Sequence, residues 1–599
     1  MTPSATEVAA PDAADVRWDL SPLYAGPDDP QLEADLSDAA DRAKAFAERY
    51  RGRVAELPPK ELASAIEELE ALEEQIGKVT TFAFLNYCTD TRDPARGALL
   101  QKVEERGTAI GTDLLFFALE WANAPDDHVA EALADPVLAD RRHWLESARR
   151  FRPHLLSEPE EKVMAEKSVT GRSAWGRLFT EVTDTVEVEL DGDTVSLEVA
   201  LSVLHDGDRD KRQRAGKAVT KALQGAAFPT RTFIFNTVLA DQSIDDRLRH
   251  YRSWVESRNL GNEIDDSTVE ALVSSVTSRY DIVARWYRLK ANLLGLDELN
   301  EYDRYAPLEL DEGEIGFEEA KRIVLDAYRS FSPEMADIAE AFFQGYIDAP
   351  VLPGKQGGAF AHPAVPSVHP YVLLNYTSRR RDVMTMAHEL GHGVHQVLAS
   401  KLGLFNADTP LTLAETASIF GETVTFHRLL ADVSDPRQRL GLLAGRIEDV
   451  TASVFRQIAM NRFEDAVHTI RRTEGELSPD RFNTEWMRTQ RAMFQDSVKL
   501  SDDYRVWWSY IPHFIHTPGY VYAYAFGNLL TLAIYARYES EDASFVPQYL
   551  ALLSAGGSDS PEELAKLVGV NLADPGFWSA GLDVVEAMVT EAEALAAKL

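Results

Sequence analysis

His388-Glu389-Leu390-Gly391-His392 is the most informative stretch of this 599-residue sequence. On a helix, His388 and His392 lie one turn apart on the same face, so both imidazole rings can reach one Zn²⁺ ion. Glu389 then lies beside a metal-bound water. The pattern is typical of zinc peptidases, in which this glutamate is the general base. The alternative is that the two histidines are ordinary buried side chains.

The residues around the motif predict that it falls inside a helix. Residues 371–376 (YVLLNY) are typical of a strand, and residues 379–382 of a polar turn. The helix is then expected to start at Val383, with Asp382 as its N-terminal cap or in its first turn.

A catalytic zinc ion takes three protein ligands and keeps a fourth position for water. A metzincin would place a glycine and a histidine three and six residues after His392, but those positions hold His395 and Leu398. That class is excluded. Glu415 is the best placed third ligand, because an apolar, small-residue helix does not bury a lone glutamate without a partner.

Two further polar residues near the motif leave two interpretations open. Glu422 lies two turns after Glu415 and either orients a ligand histidine or is an ordinary surface or ion-paired glutamate. His395 either packs near the site or contacts substrate.

Five segments carry a resemblance to the thimet oligopeptidase and oligoendopeptidase F family, most closely to the oligoendopeptidase F branch. They are RWDLSPLY (17–24), EYDRYAPL (301–308), DVMTMAHELGHGVHQ (382–396), LAETASIFGE (413–422) and WWSYIPHFIHTPGYVYAYAFG (507–527). The resemblance spans nearly the whole chain. It implies a mostly α-helical zinc-peptidase fold with a deep substrate channel, zinc at the channel floor, and cleavage of short unstructured peptides.

The C-terminal segment supplies candidate donors to the negative charge that grows on the peptide carbonyl oxygen during attack. Tyr520 and Tyr524 are one helical turn apart and are expected to point the same way, whereas Tyr522 is expected to pack in the core. The resemblance implies that His513 and tyrosines of this segment contact substrate and the tetrahedral intermediate. Gly519 and Ala523 stand where the family commonly has bulkier residues, so which tyrosine is the donor stays open.

Periodicity divides the chain into a disordered tail (1–16), an N-terminal helical domain (17–202) and a catalytic domain (203–599). Apolar stripes from Leu62 to Ile76 and from Leu443 to Ile458 predict amphipathic helices. A β-hairpin is expected at residues 186–198, turning at Asp191-Gly192, near the end of the N-terminal domain.

A glycine- and proline-rich stretch, residues 348–370, precedes the predicted strand and metal helix. It is expected to lead into an edge strand of a small β-sheet beside that helix, to which an extended peptide could add through main-chain hydrogen bonds. Lys355 lacks the surroundings of a phosphate-loop lysine, so it belongs to a structural or substrate-contacting loop.

Composition indicates where in the cell the protein is expected. The single cysteine, Cys88, rules out an internal disulfide, and the N-terminus has neither a basic start nor an apolar run. Both observations predict a cytoplasmic protein. Residues 511–536 lack Asp, Glu, Lys and Arg, but their histidines, tyrosines and asparagine favour a buried helix over a membrane span.

The charge balance is strongly acidic. The chain has 97 Asp and Glu against 61 Lys and Arg, with a formal net charge of −36. Such a surface repels phosphate backbones, so nucleic acid is not an expected partner. Because the excess is spread along the chain and arginine outnumbers lysine, we expect the solvated acidic shell of a halophilic protein; the alternative is an ordinary acidic enzyme.

The sequence therefore predicts an endopeptidase of short peptides that holds one zinc ion per chain through His388, His392 and Glu415. Glu389 is the predicted base, and His513, Tyr520 and Tyr524 are the further catalytic candidates. Two alternatives are a zinc carboxypeptidase of similar helical build and a noncatalytic metal- or peptide-binding scaffold. The sequence does not predict the oligomeric state.

Overall fold

The computed structural model describes residues 11–168, 170–308, 314–541 and 544–599; at residues 158, 162, 165, 166 and 411 it describes the backbone alone. The chain is mostly helical and has one two-stranded and one three-stranded sheet in its described part. The predicted fold class is confirmed in these respects, and the deep channel stays a prediction.

The helices and strands have the following bounds in chain order. Before and around the hairpin they are α1 (Pro30–Tyr50), α2 (Pro59–Thr89), α3 (Pro94–Ala122), α4 (Asp126–Ala134), α5 (Arg142–Arg150), α6 (Glu158–Ser168), α7 (Arg172–Asp184), β1 (Glu187–Leu190), β2 (Asp193–Ser196) and α8 (Leu197–Ser202). Up to the metal-motif helix they are α9 (Arg209–Leu223), α10 (Phe228–Leu248), α11 (Glu256–Gly261), α12 (Asp266–Ser278), α13 (Tyr280–Leu293), α14 (Phe317–Phe331), α15 (Pro333–Ala341), β3 (Ile347–Asp348), β4 (Phe360–His362) and β5 (Tyr371–Leu373). The rest are α16 (Arg380–Ala399), α17 (Leu404–Ala407), α18 (Leu411–Ala414), α19 (Thr416–Asp432), α20 (Pro436–Val450), α21 (Arg456–Thr473), α22 (Pro479–Phe494), α23 (His513–His516), α24 (Tyr522–Glu541), α25 (Val546–Ser554), α26 (Pro561–Leu567) and α27 (Pro575–Ala596).

Both predicted amphipathic helices are present. Leu62, Ile66 and Leu72 are buried on α2. The second stripe is buried throughout, from Leu443 to Ile458, but it is not one uninterrupted α-helix. A π-helical turn over Thr451–Phe455 joins α20 to α21. Burial of the apolar face stabilises both helices, since short helices are marginal alone.

Aspartate-proline pairs start several helices. Each aspartate accepts a hydrogen bond from the second residue after it, while proline occupies the first helical position, where no N–H is needed. The pairs are Asp29-Pro30, Asp93-Pro94, Asp435-Pro436 and Asp574-Pro575. Part of the acidic excess of the chain therefore has a local structural role.

The chain divides into two compact units, each made of three stretches. The first unit contains the described residues of 1–152, 312–432 and 537–571, and the second contains those of 153–311, 433–536 and 572–599. A single cut at residue 202 does not separate these units, because both units take residues from either side of it. The predicted division into an N-terminal and a catalytic domain stays a prediction about the sequence.

The predicted disordered tail is wrong for the residues that follow position 10, and residues 1–10 lie outside the described part. Pro11–Ala13 form a short 3₁₀ helix in which Ala13 is buried. The Asp12 carboxylate accepts a hydrogen bond from the backbone N–H of Glu318, at the start of α14. The Val16 carbonyl accepts one from Ala349 N–H. These contacts with distant segments order the tail, and local composition does not reveal them.

The hairpin is confirmed. Strands β1 and β2 are antiparallel, with Leu190 opposite Asp193. Asp191 and Gly192 have φ of 53° and 97°, the left-handed region that a two-residue hairpin turn requires.

The three-stranded sheet lies beside α16, as predicted, but its order corrects one expectation. The order is β3-β5-β4, with β3 parallel and β4 antiparallel to β5. The strand at Tyr371 is therefore central, and β4 is an edge. Lys355, whose side chain is fully buried, donates to the carbonyls of Asp348, Pro350 and Leu374, so this lysine holds the loop against the sheet.

Among the described residues, no helix has the length and apolar character needed to cross a bilayer.

Candidate metal and catalytic centre

Helix α16 presents the metal motif. It begins at Arg380, three residues before the predicted start, and Asp382 lies in its first turn. The Asp382 carboxylate accepts hydrogen bonds from the backbone N–H groups of Thr377 and Arg379 and so satisfies the start of the helix. His388 and His392 follow on one face of this helix.

Three predicted ligands come together on the first unit. The Nε2 atoms of His388 and His392 are 3.2 Å apart. The Oε2 atom of Glu415 is 3.4 Å from His388 Nε2 and 3.5 Å from His392 Nε2. Ligand atoms around one tetrahedral Zn²⁺ lie about 3.3–3.5 Å apart, because each is about 2.0–2.1 Å from the metal. The three side chains therefore fit a zinc ion without rearrangement.

No other group of three or more His, Cys, Asp or Glu side chains in the described part of the chain has its ligand atoms within 4.8 Å of one another. Glu415 lies where α18 ends and α19 begins, rather than inside a helix. Its Oε2 atom also accepts a hydrogen bond of 2.7 Å from the Ser418 hydroxyl. That bond fixes the carboxylate toward the histidines.

The second nitrogen of each histidine has its own partner. His388 Nδ1 lies 2.6 Å from Glu422 Oε1, a contact that favours the orienting interpretation. His392 is hydrogen-bonded to the backbone of Ala414. A neutral imidazole that donates from Nδ1 offers its Nε2 lone pair to a metal.

Charge also favours a cation here. Burial lowers the pKa of His388, but the Glu422 hydrogen bond and the charges of Glu422, Glu415 and Glu389 together raise it to about 9. Burial raises the pKa of Glu389 to about 7, and Glu415 and Glu422 add to that shift. Three carboxyl groups thus surround two imidazoles, an excess of negative charge that a divalent ion neutralises.

Glu389 is 6% exposed and lies beside the sheet. Its carboxylate accepts a hydrogen bond from the backbone N–H of Ala361 on β4. The edge strand therefore helps to hold the predicted general base. His395 is also 6% exposed, so it packs inside the fold. Burial lowers its pKa to about 4.

Two glycines make the close crossing of α16 and α19 possible. A Cβ atom on Gly391 would lie 2.4 Å from the Ala417 carbonyl oxygen and 2.7 Å from Ser418 Cα. A Cβ atom on Gly421 would lie 2.9 Å from the Ala387 carbonyl oxygen. Sequence reasoning did not identify these positions, although glycines inside helical patterns are the signal for close backbone approach.

Tyr328 on α14 is a further residue that the sequence did not reveal. It is fully buried, and its hydroxyl donates to the carbonyl oxygen of Ala387, the residue before His388. Burial, together with the charges of Glu422 and Glu389, raises its pKa, so the hydroxyl keeps its proton. This bond fixes the backbone of α16 at the point where the ligands begin.

The other catalytic candidates belong to the second unit. His513 Nε2 lies 3.3 Å from the Tyr524 hydroxyl, and the Tyr520 and Tyr524 rings are 5.0 Å apart. Tyr520 and Tyr524 do lie together, but not as neighbours on one helix, since α24 begins at Tyr522. Tyr522 is fully buried and accepts a hydrogen bond from Asn262, which confirms the packing interpretation.

A helix with two ligand-spaced histidines, a third carboxylate ligand and a buried glutamate beside them is the arrangement of a metallopeptidase. The family model described as "Peptidase family M3" matches residues 202–584, and that described as "Oligopeptidase F" matches residues 120–187. The chain belongs to peptidase family M3, in the group of oligoendopeptidase F.

Curated relatives agree over nearly the full length. The chain is similar to oligopeptidase PepF of Bacillus subtilis, with 28% identity over 92% of this chain and 83% of that protein. Group B oligopeptidase PepB of Streptococcus agalactiae is 25% identical over 97% of both chains.

A crystal structure of a Chlamydophila abortus protein classed as a peptidase superposes with a TM-score of 0.86, at 23% identity, over 97% of this chain and 98% of that one. Oligoendopeptidase-F from Enterococcus faecium superposes with a TM-score of 0.69, at 21% identity, over 94% of this chain and 99% of that one. At these identities the two structures establish the fold.

Proposed function

We propose that this metallopeptidase is a zinc-dependent endopeptidase that hydrolyses short, unstructured peptides. The observation that carries the proposal is the spacing of His388, His392 and Glu415, whose ligand atoms lie 3.2–3.5 Å apart. Two imidazoles and one carboxylate, with a fourth position left for water, are the ligand set of catalytic zinc. The names of the relatives, oligopeptidase and oligoendopeptidase, support the substrate class.

Glu389 is the proposed general base. A bound zinc ion would activate water for attack and polarise the peptide carbonyl. Glu389 takes a proton from the attacking water and later delivers it to the leaving amine. Its pKa, raised to about 7 by burial, suits a group that must both accept and release a proton near neutrality.

Glu422 and Ser418 are the proposed positioning residues. Glu422 holds the His388 ring through Nδ1, and Ser418 holds the Glu415 carboxylate. Neither touches the reacting atoms, and both keep the ligand atoms at the spacing that the metal needs.

His513, Tyr520 and Tyr524 stay predictions as donors to the oxygen on which charge develops. The pKa of His513 is lowered by burial and by the charge of Arg456, so its ring is neutral near pH 7 and has one N–H to donate. Each tyrosine offers one hydroxyl.

The outer edge of β4 is a further candidate for binding substrate. An extended peptide that adds to this edge forms main-chain hydrogen bonds, which give affinity with little dependence on sequence. The Ala361 N–H on β4 already donates to Glu389, so a peptide that pairs with this strand would lie beside the base and would displace that hydrogen bond.

The cytoplasmic location, the halophilic character and the lack of nucleic-acid partners stay proposals. They rest on the single cysteine and on the net charge of −36.

Product analysis tests the function. The purified protein, loaded with Zn²⁺, is incubated with an unstructured peptide of about ten residues whose termini are both blocked, and the products are identified by mass spectrometry. Internal cleavage that stops with a chelator and returns with Zn²⁺ is the expected result. Cleavage confined to peptides with a free C-terminus, one residue at a time, would instead support a carboxypeptidase. Zinc binding without any cleavage would support a scaffold.

A further inference from the structure

Arg456, the first residue of α21, has no acidic partner among the described residues of this acidic chain. Its Nη1 atom donates to the Tyr305 hydroxyl at 3.1 Å. Its other guanidinium N–H groups, on Nε and Nη2, have no acceptor in the described structure, and neither nitrogen is a buried unsatisfied atom. One edge of this half-buried guanidinium therefore keeps two parallel donors that are not sealed from solvent.

The neighbouring carboxylates are already engaged. Glu448, whose charge reaches Tyr305, pairs with the buried Lys290. Asp303 pairs with Arg209 and Arg212. The raised pKa of Arg456 arises first from the charge of Tyr305, to which Tyr510 and Tyr504 add.

A second arginine adds to the positive charge. Arg304 is 5% exposed, and its guanidinium lies 5.1 Å from the Tyr305 ring centroid and 5.0 Å from that of Tyr504. Aromatic faces stabilise this buried cation where a carboxylate would otherwise be expected. Arg456 and Arg304, which have no acidic partner in the described part of the chain, thus lie around Tyr305 in a protein whose net charge is −36.

The backbone at Arg456 is also irregular. The N–H of Arg456 donates to the carbonyl of Thr451, which closes the π-helical turn between α20 and α21. Such turns occur often at functional sites, because they re-aim the side chains that follow. Arg456 is close enough to His513 for its charge to lower the pKa of that histidine.

We propose that Arg456, supported by Tyr305, binds a carboxylate of the peptide substrate through the free Nε and Nη2 edge of its guanidinium. The fork geometry of arginine matches a carboxylate in a bidentate pair. The carboxylate is either the free C-terminus or an acidic side chain. The proposal rests on the proposed peptidase function, because the ligand is that enzyme's substrate.

Three quenched peptides of one core sequence separate the two sources. The first ends in a free acid, the second in an amide, and the third is the amide with one added glutamate near its C-terminal end. We expect the wild-type protein to cleave one carboxylate-bearing peptide with kcat/KM about 10- to 100-fold above the plain amide, mainly through KM. Preference for the first identifies the C-terminus, and preference for the third identifies a side chain.

Arg456→Gln should remove this preference: KM for the favoured peptide should rise until its kcat/KM relative to that of the plain amide is about one. Arg456→Lys keeps the charge without the fork and should retain part of the preference. Arg505→Gln is the matched control, because Arg505 is 45% exposed and pairs with Asp502 on the surface. This control should behave as wild type.

Equal cleavage of all three peptides by the wild-type protein would overturn the proposal, as would a preference that survives in Arg456→Gln. If circular dichroism shows that Arg456→Gln is unfolded, the proposal is judged from the kcat/KM ratios of the three peptides with the wild-type protein and with Arg456→Lys. Calorimetry of the same peptides with Glu389→Gln measures binding without cleavage, so it tests carboxylate binding by Arg456 separately from the proposed peptidase function. Carboxylate-dependent binding without cleavage by the wild-type protein would refute the peptidase function alone.

Discussion

Replacement of Gly391 by alanine should disturb the metal centre by pushing α19 away from α16. The new Cβ would lie 2.4 Å from the Ala417 carbonyl oxygen, which must retreat by at least about 0.6 Å to reach 3.0 Å, where real Cβ contacts begin. Ligand positions tolerate about ±0.2 Å around a metal. Because Ala417 lies two residues from Glu415, we expect zinc affinity to fall about 10-fold or more.

The effect on stability has two opposing parts. Alanine is favoured over glycine inside a helix by about 1 kcal/mol. Overpacking of a tight contact costs about 1–3 kcal/mol, and the contact here is with backbone, which cannot rotate away. The expected net result for Gly391→Ala in the metal-free protein is a destabilisation of about 0–2 kcal/mol, in contrast to the gain expected without the clash.

Denaturant unfolding of the metal-free variants and zinc titration measure the two effects. Gly445 is the matched control, because it lies inside α20, is exposed, and has nothing within 4 Å of an added Cβ. Gly445→Ala should gain about 0.5–1 kcal/mol and bind zinc as wild type does. If Gly391→Ala gained stability like the control and kept full zinc affinity, the close crossing would not be what positions the ligands.

Further predictions concern the site and the charge. Glu389→Gln should keep zinc and lose about 10²- to 10⁴-fold in kcat. A general base must be deprotonated, so wild-type kcat/KM should fall as the pH drops through the raised pKa of Glu389, about 7. The pH profile of peptide hydrolysis measures this fall. Glu415→Ala should lower zinc occupancy after dialysis, measured by atomic absorption, because two protein ligands remain; full occupancy would point to another ligand. Tyr520→Phe or Tyr524→Phe should lower kcat about 10²- to 10³-fold with little change in KM, whereas Tyr522→Phe should have almost no effect. Normal activity of all three variants would show that these tyrosines only pack in the fold. The melting temperature should rise from low to molar KCl, since the Debye length falls from about 10 Å to about 3 Å and carboxylate repulsion weakens; a flat or falling curve would contradict the halophilic interpretation.

The sequence predicted those features that depend on local spacing. His388 and His392 are one turn apart on any helix, and the Asp191-Gly192 turn fits its hairpin whatever surrounds it. Glu415 was predicted from the cost of burying a lone carboxylate inside a helix, but its side chain is 34% exposed and it lies between α18 and α19, so that premise was wrong.

Features that depend on distant contacts were missed. The start of the chain is ordered by Asp12 and Val16, whose partners are about three hundred residues away. The strand at Tyr371 became the central strand because β3 and β4, on two separate stretches, pair with it. Tyr328 reaches the metal helix from another helix, and no spacing rule connects them.

The ligand set and its supports are close together along the chain. Glu422 lies 34 residues from His388, and Ser418 lies three residues from Glu415. The entropy lost in closing a loop grows only slowly with its length, and contacts of short sequence separation form faster than remote ones. The pair of helices α16 and α19 can therefore assemble as a local hairpin while the remote N-terminal contacts are still open, and an ion that binds only the assembled pair would also stabilise it during folding.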